Sequence, residues 1–240
     1  MKALILAAGF GSRLKPITEK IPKALVQING RTLLEIIVQR LIASGCSEII
    51  INVHHLADQI KEYLVSQGNF GIKIEISDES DKLLDTGGGL KKVQWFFTHG
   101  QSFLVHNIDI ISDIDLALFY RHHFRSEALI TLAVQKRESS RYLLFDQEKN
   151  LCGWKNIKTN ESIIVRDPIG QMDQFAFSGI QVADPKIFYM MPNKDTFSLI
   201  DFFLAVAPKH DITYYDHSNS LFIDAGKIEN LAIAEEFLKH

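Results

Sequence analysis

The chain has 240 residues, of which 46% are hydrophobic and 23% are charged. This composition is ordinary for a compact domain and excludes the disordered and fibrous classes. Its 26 Lys and Arg against 29 Asp and Glu give a formal net charge of −3, which excludes a protein that coats nucleic acid through its overall charge. No stretch approaches the roughly 20 apolar residues of a membrane helix. We therefore expect no nucleic-acid partner, no membrane association and a cytoplasmic location.

The first half of the chain alternates between strand and helix patterns. Residues 2–8 form a continuous apolar run that stops at Gly9, typical of a parallel strand covered on both faces. Strands are then predicted at 47–53, 72–77, 102–108 and 129–136, and helices at 32–45, 56–68, 87–97 and 114–124. This order predicts right-handed βαβ units in a Rossmann-like, doubly wound and mostly parallel sheet.

The pattern changes near residue 140, where short β-type runs separated by polar turns predict a small antiparallel meander at 142–146, 151–156 and 162–167. A strand at 174–184, helices at 185–191 and 197–209, strands at 212–216 and 221–226 and a closing helix at 227–240 follow. No linker or repeat requires a domain boundary. The sequence therefore predicts one α/β domain over 1–240, with the meander on the substrate side.

A glycine loop follows the first strand. Gly9 and Gly11 have no Cβ, so the backbone N–H groups can approach a phosphate closely. Arg13 and Lys23 are the nearby cations, and Arg and Lys together suit a flexible polyphosphate. The loop lacks the third glycine of a dinucleotide fingerprint and the G-K-[ST] of a P-loop. By itself, G-x-G-x-R equally fits a glycine-rich turn with solvated charges.

The full string "LAAGFGSRLKPITEKIPKAL", residues 6–25, is more specific. It resembles the signature L-A-A-G-x-G-x-R-[LM]-x-P-[LI]-T-x-x-x-P-K-x-L of sugar-1-phosphate nucleotidyltransferases, and every fixed position matches. This resemblance makes 1–139 a nucleotide-binding half and 140–240 a sugar-binding half. It implies that an NTP and a sugar 1-phosphate are the partners. The triphosphate contacts that it implies are Ala8, Gly9, Gly11, Arg13 and Lys23, the last two as catalytic residues.

A second glycine-rich segment, "LLDTGGGLKK" at 83–92, opens a predicted helix whose N-terminus favours an electronegative group. In the family that the chain resembles, this loop borders the nucleobase, and "DTGGG" is similar to the "ETGGG" of small uridylyltransferases that act on N-acetylmuramate α-1-phosphate. The base-pocket residues implied by the resemblance are Asn52, Asp85, Thr86, Gly87 and Gly88.

Asp109 lies at the carboxyl end of a buried strand, where open α/β sheets bind ligands, and is a candidate Mg²⁺ ligand. The family usually has glycine where this chain has Ile108. The segment "LFIDAGK" resembles the family's [VI]-D-[VIA]-G-[TK], which implies that Asp224 completes the metal site. Mg²⁺ suits two carboxylates because phosphates and waters supply its remaining ligands. Asp113 and Asp115 are interpreted as a loop acid and a helix N-cap.

"DQFAFSGIQV" resembles the family's F-x-G-I-x-V strand, which lines the hexose phosphate. The sugar contacts implied in this way are Phe177, Ser178 and Gly179. Asp173 and Asp201 are further candidate partners for the sugar hydroxyls, and Asn107, at the end of the strand before Asp109, is a further candidate sugar-binding residue.

The resemblance implies a nucleotidyltransferase of the EC 2.7.7 class, with Mg²⁺ as cofactor and as a monomer or homodimer. We expect it to join a nucleotide, with UTP favoured, to N-acetylmuramate α-1-phosphate for the recycling of cell-wall sugar. Two other enzyme classes share the opening motif and remain alternatives: mannose or heptose 1-phosphate guanylyltransferases, and cytidylyltransferases that act on choline phosphate or a phosphonate. A regulatory subunit that binds nucleotide sugars without turnover is a further alternative. The missing third glycine disfavours an NAD-binding protein.

Overall fold

The structure, a computed structural model, describes residues 1–97 and 100–239. Its strands are β1 (Lys2–Leu6), β2 (Gln27–Ile28), β3 (Arg31–Thr32), β4 (Glu48–Val53), β5 (Lys73–Asp78), β6 (Phe103–Asn107), β7 (Ile110–Ser112), β8 (Ile130–Gln135), β9 (Arg141–Phe145), β10 (Leu151–Asn156), β11 (Glu161–Ile164), β12 (Asp173–Ala183), β13 (Ile212–Asp216) and β14 (Phe222–Asp224). Its helices are α1 (Leu33–Ala43), α2 (Ala57–Ser66), α3 (Asp85–Lys92), α4 (Leu116–Ser126), α5 (Leu199–Val206) and α6 (Leu231–Phe237).

One large sheet organises the molecule. Strands β6, β1, β4 and β5 lie side by side and parallel, as the alternation of strands and helices predicts. The long strand β12 runs antiparallel to β6 and continues the sheet into β9, β10 and β11, which form the antiparallel meander. Strand β8 also pairs with β12, and β13 runs parallel to β8. The meander is therefore part of the central sheet.

Helices cover both faces of the sheet. Side chains of β1 alternate between the two cores: Ala3 and Ile5 pack with apolar residues of α1, α2, α4 and α6. Leu4 and Leu6 pack on the other side with residues of α3 and α5. All four side chains are buried, which is the reason that the strand is a continuous apolar run. The α/β, doubly wound prediction is confirmed.

Helix boundaries follow the expected local chemistry. The hydroxyl of Thr32 accepts a hydrogen bond of 3.0 Å from the Glu35 N–H and caps the start of α1. Gly45 follows the end of α1 with a φ of 93°, a conformation that favours glycine. Asp115 caps α4 by accepting from the Leu118 N–H at 2.8 Å, so its interpretation as an N-cap is confirmed.

Some predicted boundaries were wrong. The helix expected at 87–97 begins at Asp85, ends at Lys92 and is followed by a 3₁₀ turn. The helix expected at 185–191 is a 3₁₀ helix over Pro185–Met190. His240, the last residue of the expected closing helix, lies outside the described residues. Among the helices of the described chain, none has the length and apolar character needed to cross a membrane.

Candidate active site

The glycine loop begins where β1 ends. Gly11 has a φ of 67°, and a methyl group there would lie 2.8 Å from Cγ2 of Thr18 and 3.1 Å from Cβ of Lys23. The Thr18 hydroxyl also donates a hydrogen bond of 2.8 Å to the Gly11 carbonyl. Around Gly9, by contrast, no described atom lies within 4 Å of the position a Cβ would take. Gly11 is therefore needed for the fold of the loop, and Gly9 leaves its backbone open to a ligand.

The two predicted metal carboxylates meet beside this loop, although 115 positions separate them in sequence. Asp109 follows β6, and Asp224 ends β14, which pairs with β7 so that Asp224 lies opposite Ile110. The Ala225 N–H donates to the Asp109 carbonyl at 2.8 Å and closes the turn. The pairing of two short strands thus brings the acids together.

Arg13 contacts both carboxylates. Its Nη1 lies 2.9 Å from Oδ2 of Asp224, and its Nη2 lies 3.6 Å from Oδ2 of Asp109. Lys23 forms an ion pair with Asp109, and the side chains of this pair are only 13% and 10% exposed, against 53% for Arg13. Lys23 and Asp109 therefore form the inner, less screened pair. Arg13 covers the carboxylates from the solvent side.

These acids fit a magnesium ion. Gly226 lies between them, because a methyl group there would be 2.5 Å from an Asp109 oxygen and 2.9 Å from an Asp224 oxygen. Mg²⁺ is bound in such enzymes by one or two carboxylates, with substrate phosphates and waters completing the octahedron. Over residues 1–97 and 100–239, no group of three or more His, Cys, Asp and Glu side chains forms a metal cluster. Two carboxylates alone would leave the remaining ligand positions of such an ion to water or phosphate oxygens.

A cavity of about 210 Å³ connects the glycine loop, Asp109 and the segment 83–92, which is predicted to border the nucleobase and is called the base loop below. Its lining residues are Leu6, Ala8, Gly9, Lys23, Asn52, Leu83, Asp85, Thr86, Asn107, Ile108 and Asp109. Eight of these eleven residues are ones that the sequence analysis predicts to bind the nucleotide, the sugar or the metal. Three apolar residues in the lining, Leu6, Leu83 and Ile108, are not among the predicted contacts.

Ile108 occupies the position at which the family usually has glycine. Its N–H donates to the Leu6 carbonyl at 3.1 Å and extends the ladder between β6 and β1. The residue is not among those with a positive φ. Isoleucine therefore fits this turn without strain, and the Asp109 carboxylate still reaches the site.

The three glycines of α3 serve packing. The N–H groups of Gly87 and Gly88 both donate to the Phe197 carbonyl, at 2.9 and 3.2 Å, and a methyl group on either glycine would overlap the segment 195–197. The Thr86 hydroxyl accepts from the Leu199 N–H at 2.9 Å. Asp85 and Thr86 line the cavity, whereas Gly87 and Gly88 dock α3 against the start of α5.

Glu79 is a residue that the sequence analysis missed. Its two carboxylate oxygens accept hydrogen bonds from Nδ2 of Asn52, at 2.8 Å, and from the Leu84 N–H, at 3.2 Å. Asn52 in turn accepts from the Ala7 N–H at 2.7 Å. Burial raises the pKa of Glu79, and these hydrogen bonds oppose the shift. The buried chain of contacts ties the start of the glycine loop to the base loop.

The predicted sugar residues fall into two groups. Gly179 has a φ of 72°, and a methyl group there would lie 2.7 Å from Nδ2 of Asn107, a residue that lines the cavity. Ser178, next to it, is buried and shares a hydrogen bond of 2.8 Å with Nε2 of His217. Burial lowers the pKa of His217 to about 4, so this histidine is neutral at physiological pH.

The other predicted sugar residues lie outside this cavity. Asp201 lines a second cavity, of about 590 Å³, between α5 and the meander, together with Trp154 and Arg141. Asp173 is exposed at the first position of β12. Phe177 packs edge-on against Phe203. Of the predicted sugar residues, Asn107 lines the cavity beside the glycine loop and Gly179 lies against Asn107, whereas Asp173 and Asp201 do not line that cavity.

The family relationship follows from comparison with known proteins. A family model described as nucleotidyl transferase matches residues 2–151, which contain the glycine loop, the base loop and Asp109. This chain belongs to the nucleotidyl transferase family. The resemblance seen in the sequence is confirmed.

Two curated relatives show what this family member is similar to. The N-acetylmuramate alpha-1-phosphate uridylyltransferase of Caulobacter vibrioides is 40% identical over 111 residues, which cover 45% of this chain and 46% of the relative. The UTP--glucose-1-phosphate uridylyltransferase of Synechocystis is 36% identical over 141 residues, which cover 55% of this chain and 36% of the relative. The chain spans less than half the length of each of these relatives.

A solved structure shows the same fold over the whole chain. HddC from Yersinia pseudotuberculosis, complexed with GMP-PN, aligns with a TM-score of 0.77 and 24% identity, and the alignment covers 99% of both chains. At this identity the likeness concerns the fold, which includes the meander and α6 in addition to the segment that the family model matches.

Proposed function

We propose that this nucleotidyl transferase family member moves a nucleotidyl group from an NTP to a sugar 1-phosphate and releases pyrophosphate. The observation that carries the proposal is the contact of Arg13 with both Asp109 and Asp224 beside an open glycine loop. Cations and carboxylates that meet beside an open loop suit a ligand that brings its own negative charge together with a metal. A nucleoside triphosphate supplies that charge.

The protein's own residues supply position and charge. The acceptor phosphate is largely dianionic at neutral pH, since its second pKa is about 6, so its oxygen attacks the α-phosphorus without a general base. Arg13 and Lys23 leave their ion pairs with the carboxylates and neutralise charge on the triphosphate. Asp109 and Asp224 would hold Mg²⁺, which when bound neutralises phosphate oxygens and orients them.

UTP and N-acetylmuramate α-1-phosphate are the favoured substrates, used in the cytoplasm for recycling of cell-wall sugar. Two observations support these substrates. The chain is similar to two uridylyltransferases, one of which acts on that sugar phosphate, and the base loop contains the sequence "DTGGG". A guanylyltransferase that acts on mannose or heptose 1-phosphate is the second candidate, because the chain shares its fold with a structure that holds a guanine nucleotide analogue.

The test is pyrophosphate release with all four NTPs against N-acetylmuramate, glucose, mannose and heptose 1-phosphates. We expect turnover with UTP and N-acetylmuramate α-1-phosphate, dependent on added Mg²⁺. Release with GTP and a mannose or heptose phosphate alone would favour the second candidate. Nucleotide binding without release in any combination would favour the regulatory subunit.

Arg13→Ala and Asp109→Ala should each lower kcat by roughly 10²-fold or more. Asp115→Ala is the matched control, because it removes a carboxylate that only caps α4. It should cost about 1 kcal/mol of stability and leave turnover unchanged. Near-normal turnover in both site variants would refute the proposed chemistry.

A further inference from the structure

Arg137 is a cation that the proposed chemistry does not yet use. It follows β8 and is half-buried. Its Nη2 donates a hydrogen bond of 3.1 Å to the Phe177 carbonyl, and its Nη1 reaches the Glu138 carbonyl only at 3.4 Å. The guanidinium carbon lies 4.2 Å from the centroid of the Phe222 ring. The side chain therefore spans from β12 to β14.

Arg137 has no ion-pair partner within the described chain. Its Nε is buried and has no hydrogen-bond partner, and no carboxylate oxygen of residues 1–97 or 100–239 forms a salt bridge with it within 4.0 Å. A guanidinium stays charged in proteins and offers five N–H donors. Burial lowers the pKa of Arg137, and the nearby Asp224 opposes the shift. Burying a cation without an ion-pair partner is costly, which makes Arg137 a candidate for binding an anionic ligand.

The position of Arg137 indicates which ligand that is. Phe177, whose carbonyl it holds, precedes Ser178 and Gly179 in β12, and Gly179 lies against Asn107, which lines the cavity beside the glycine loop. Phe222, which it stacks on, lies two residues before Asp224. The triphosphate already has the glycine loop, Arg13 and Lys23. The acceptor phosphate has no cation assigned to it, although it must lie next to the same metal carboxylates.

We propose that Arg137 binds the phosphate group of the sugar 1-phosphate and orients its attacking oxygen. This inference rests on the proposed function. One acceptor oxygen forms a bond to the α-phosphorus of the NTP, the bond from that phosphorus to the bridging oxygen breaks, and its electron pair leaves with pyrophosphate. Arg137 stays protonated throughout. The hydrogen bond from Nη2 to the Phe177 carbonyl and the contact with the Phe222 ring hold the guanidinium in place. Nη1, whose contact in the chain is long, is the donor available to the ligand.

Arg137→Met is the main variant, because methionine keeps a long, unbranched side chain at this position and removes the guanidinium that lies over Phe222. We expect the KM for the sugar 1-phosphate to rise at least 10-fold and the KM for the NTP to stay within twofold. Arg137→Lys keeps the charge without the planar fork and should give an intermediate KM. Arg125→Met, the same change at an exposed arginine of α4, is the matched control and should change neither KM.

Direct binding separates this inference from the proposed function. Calorimetry should show N-acetylmuramate α-1-phosphate binding at least 10-fold more weakly to Arg137→Met than to the wild type, even if no NTP supports turnover. If wild-type protein releases no pyrophosphate, the proposed function fails and the binding comparison still decides the role of Arg137.

Thermal unfolding tests a purely structural role. If both KM values rise together and the Tm falls, Arg137 only braces β12 against β14 and the inference is overturned. Unchanged acceptor binding and unchanged acceptor KM would overturn it as well.

Discussion

Gly226→Ala should remove activity while leaving the fold nearly as stable as before. The added methyl group would lie 2.5 Å from Oδ2 of Asp109, 2.9 Å from Nη2 of Arg13 and 2.9 Å from Oδ1 of Asp224. An ordinary carbon contact with these atoms needs roughly 3.4 Å, since van der Waals contact between heavy atoms begins near that separation. The Asp109 oxygen must therefore shift by about 0.9 Å, and the other two groups by about 0.5 Å.

The size of the loss follows from these shifts. The three groups that must move are ends of side chains, so the folded chain adapts at a cost of about 1 kcal/mol or less, which is within the usual range for a tolerated substitution. A misplacement of about 1 Å in catalytic groups costs about 10²-fold in rate. We therefore expect kcat to fall by about 10²-fold, or about 2.7 kcal/mol of barrier.

The assay is pyrophosphate release at saturating substrates, with the free energy of unfolding measured in urea on the same preparations. Gly45→Ala is the control with the opposite pattern. It has no neighbour within 4 Å but a φ of 93°, so it should lose about 1 to 2 kcal/mol of stability and keep its kcat. A Gly226→Ala enzyme with kcat within threefold of the wild type would refute the placement of the reacting groups around Gly226.

Two further predictions concern buried groups. Glu79→Gln places an amide donor against either Asn52 or the Leu84 N–H, so one charged hydrogen bond of about 1.5 kcal/mol is lost. We therefore expect the KM for the NTP to rise about 10-fold and the KM for the acceptor to stay unchanged. An unchanged KM for the NTP would contradict the role of Glu79. Burial lowers the pKa of His123 and His217 to about 4 in the folded state from 6.5. Their contribution to stability is therefore complete above pH 6.5 and is lost as the pH falls toward 4, by about 1.4 kcal/mol per pH unit for each histidine. The free energy of unfolding in urea, measured at pH 7.5 and 5.5, should decrease with this slope. The slope should be smaller in His123→Gln by the contribution of one histidine. A slope identical to that of the wild type in this variant would contradict the burial of a neutral His123.

Elements with strong local signals were predictable from the sequence. The continuous apolar run at 2–8 and the helical spacing at 32–45 predict a strand and a helix, and the structure contains β1 and α1 there. Such signals are local, because the period of buried side chains directly reflects the element that carries them. The apolar run at 185–191 forms a 3₁₀ helix over Pro185–Met190. A run this short does not distinguish a 3₁₀ helix from an α-helix.

The residues of the candidate site were only partly predictable from the sequence. Asn107 ends β6 and Asp109 follows it, at an edge of the sheet predicted to bind ligands, and both residues line the cavity. The Glu79–Asn52 contact and the role of Gly87 in packing against Phe197 carry no local signal. These contacts join segments distant in sequence, so they depend on how helices and strands pack.

The sequence by itself determined the order of strands and helices and the glycine loop with its two cations, because backbone freedom, apolar periodicity and charge are properties of short segments. Only the tertiary structure decided that Asp224 meets Asp109 and Arg13, since the antiparallel pairing of β7 with β14 joins the two acids across 115 positions. It also decided that Arg137 lies desolvated between β12 and Phe222 without a partner for its Nε. Burial and charge compensation depend on every segment that packs around a side chain, and no local pattern encodes them.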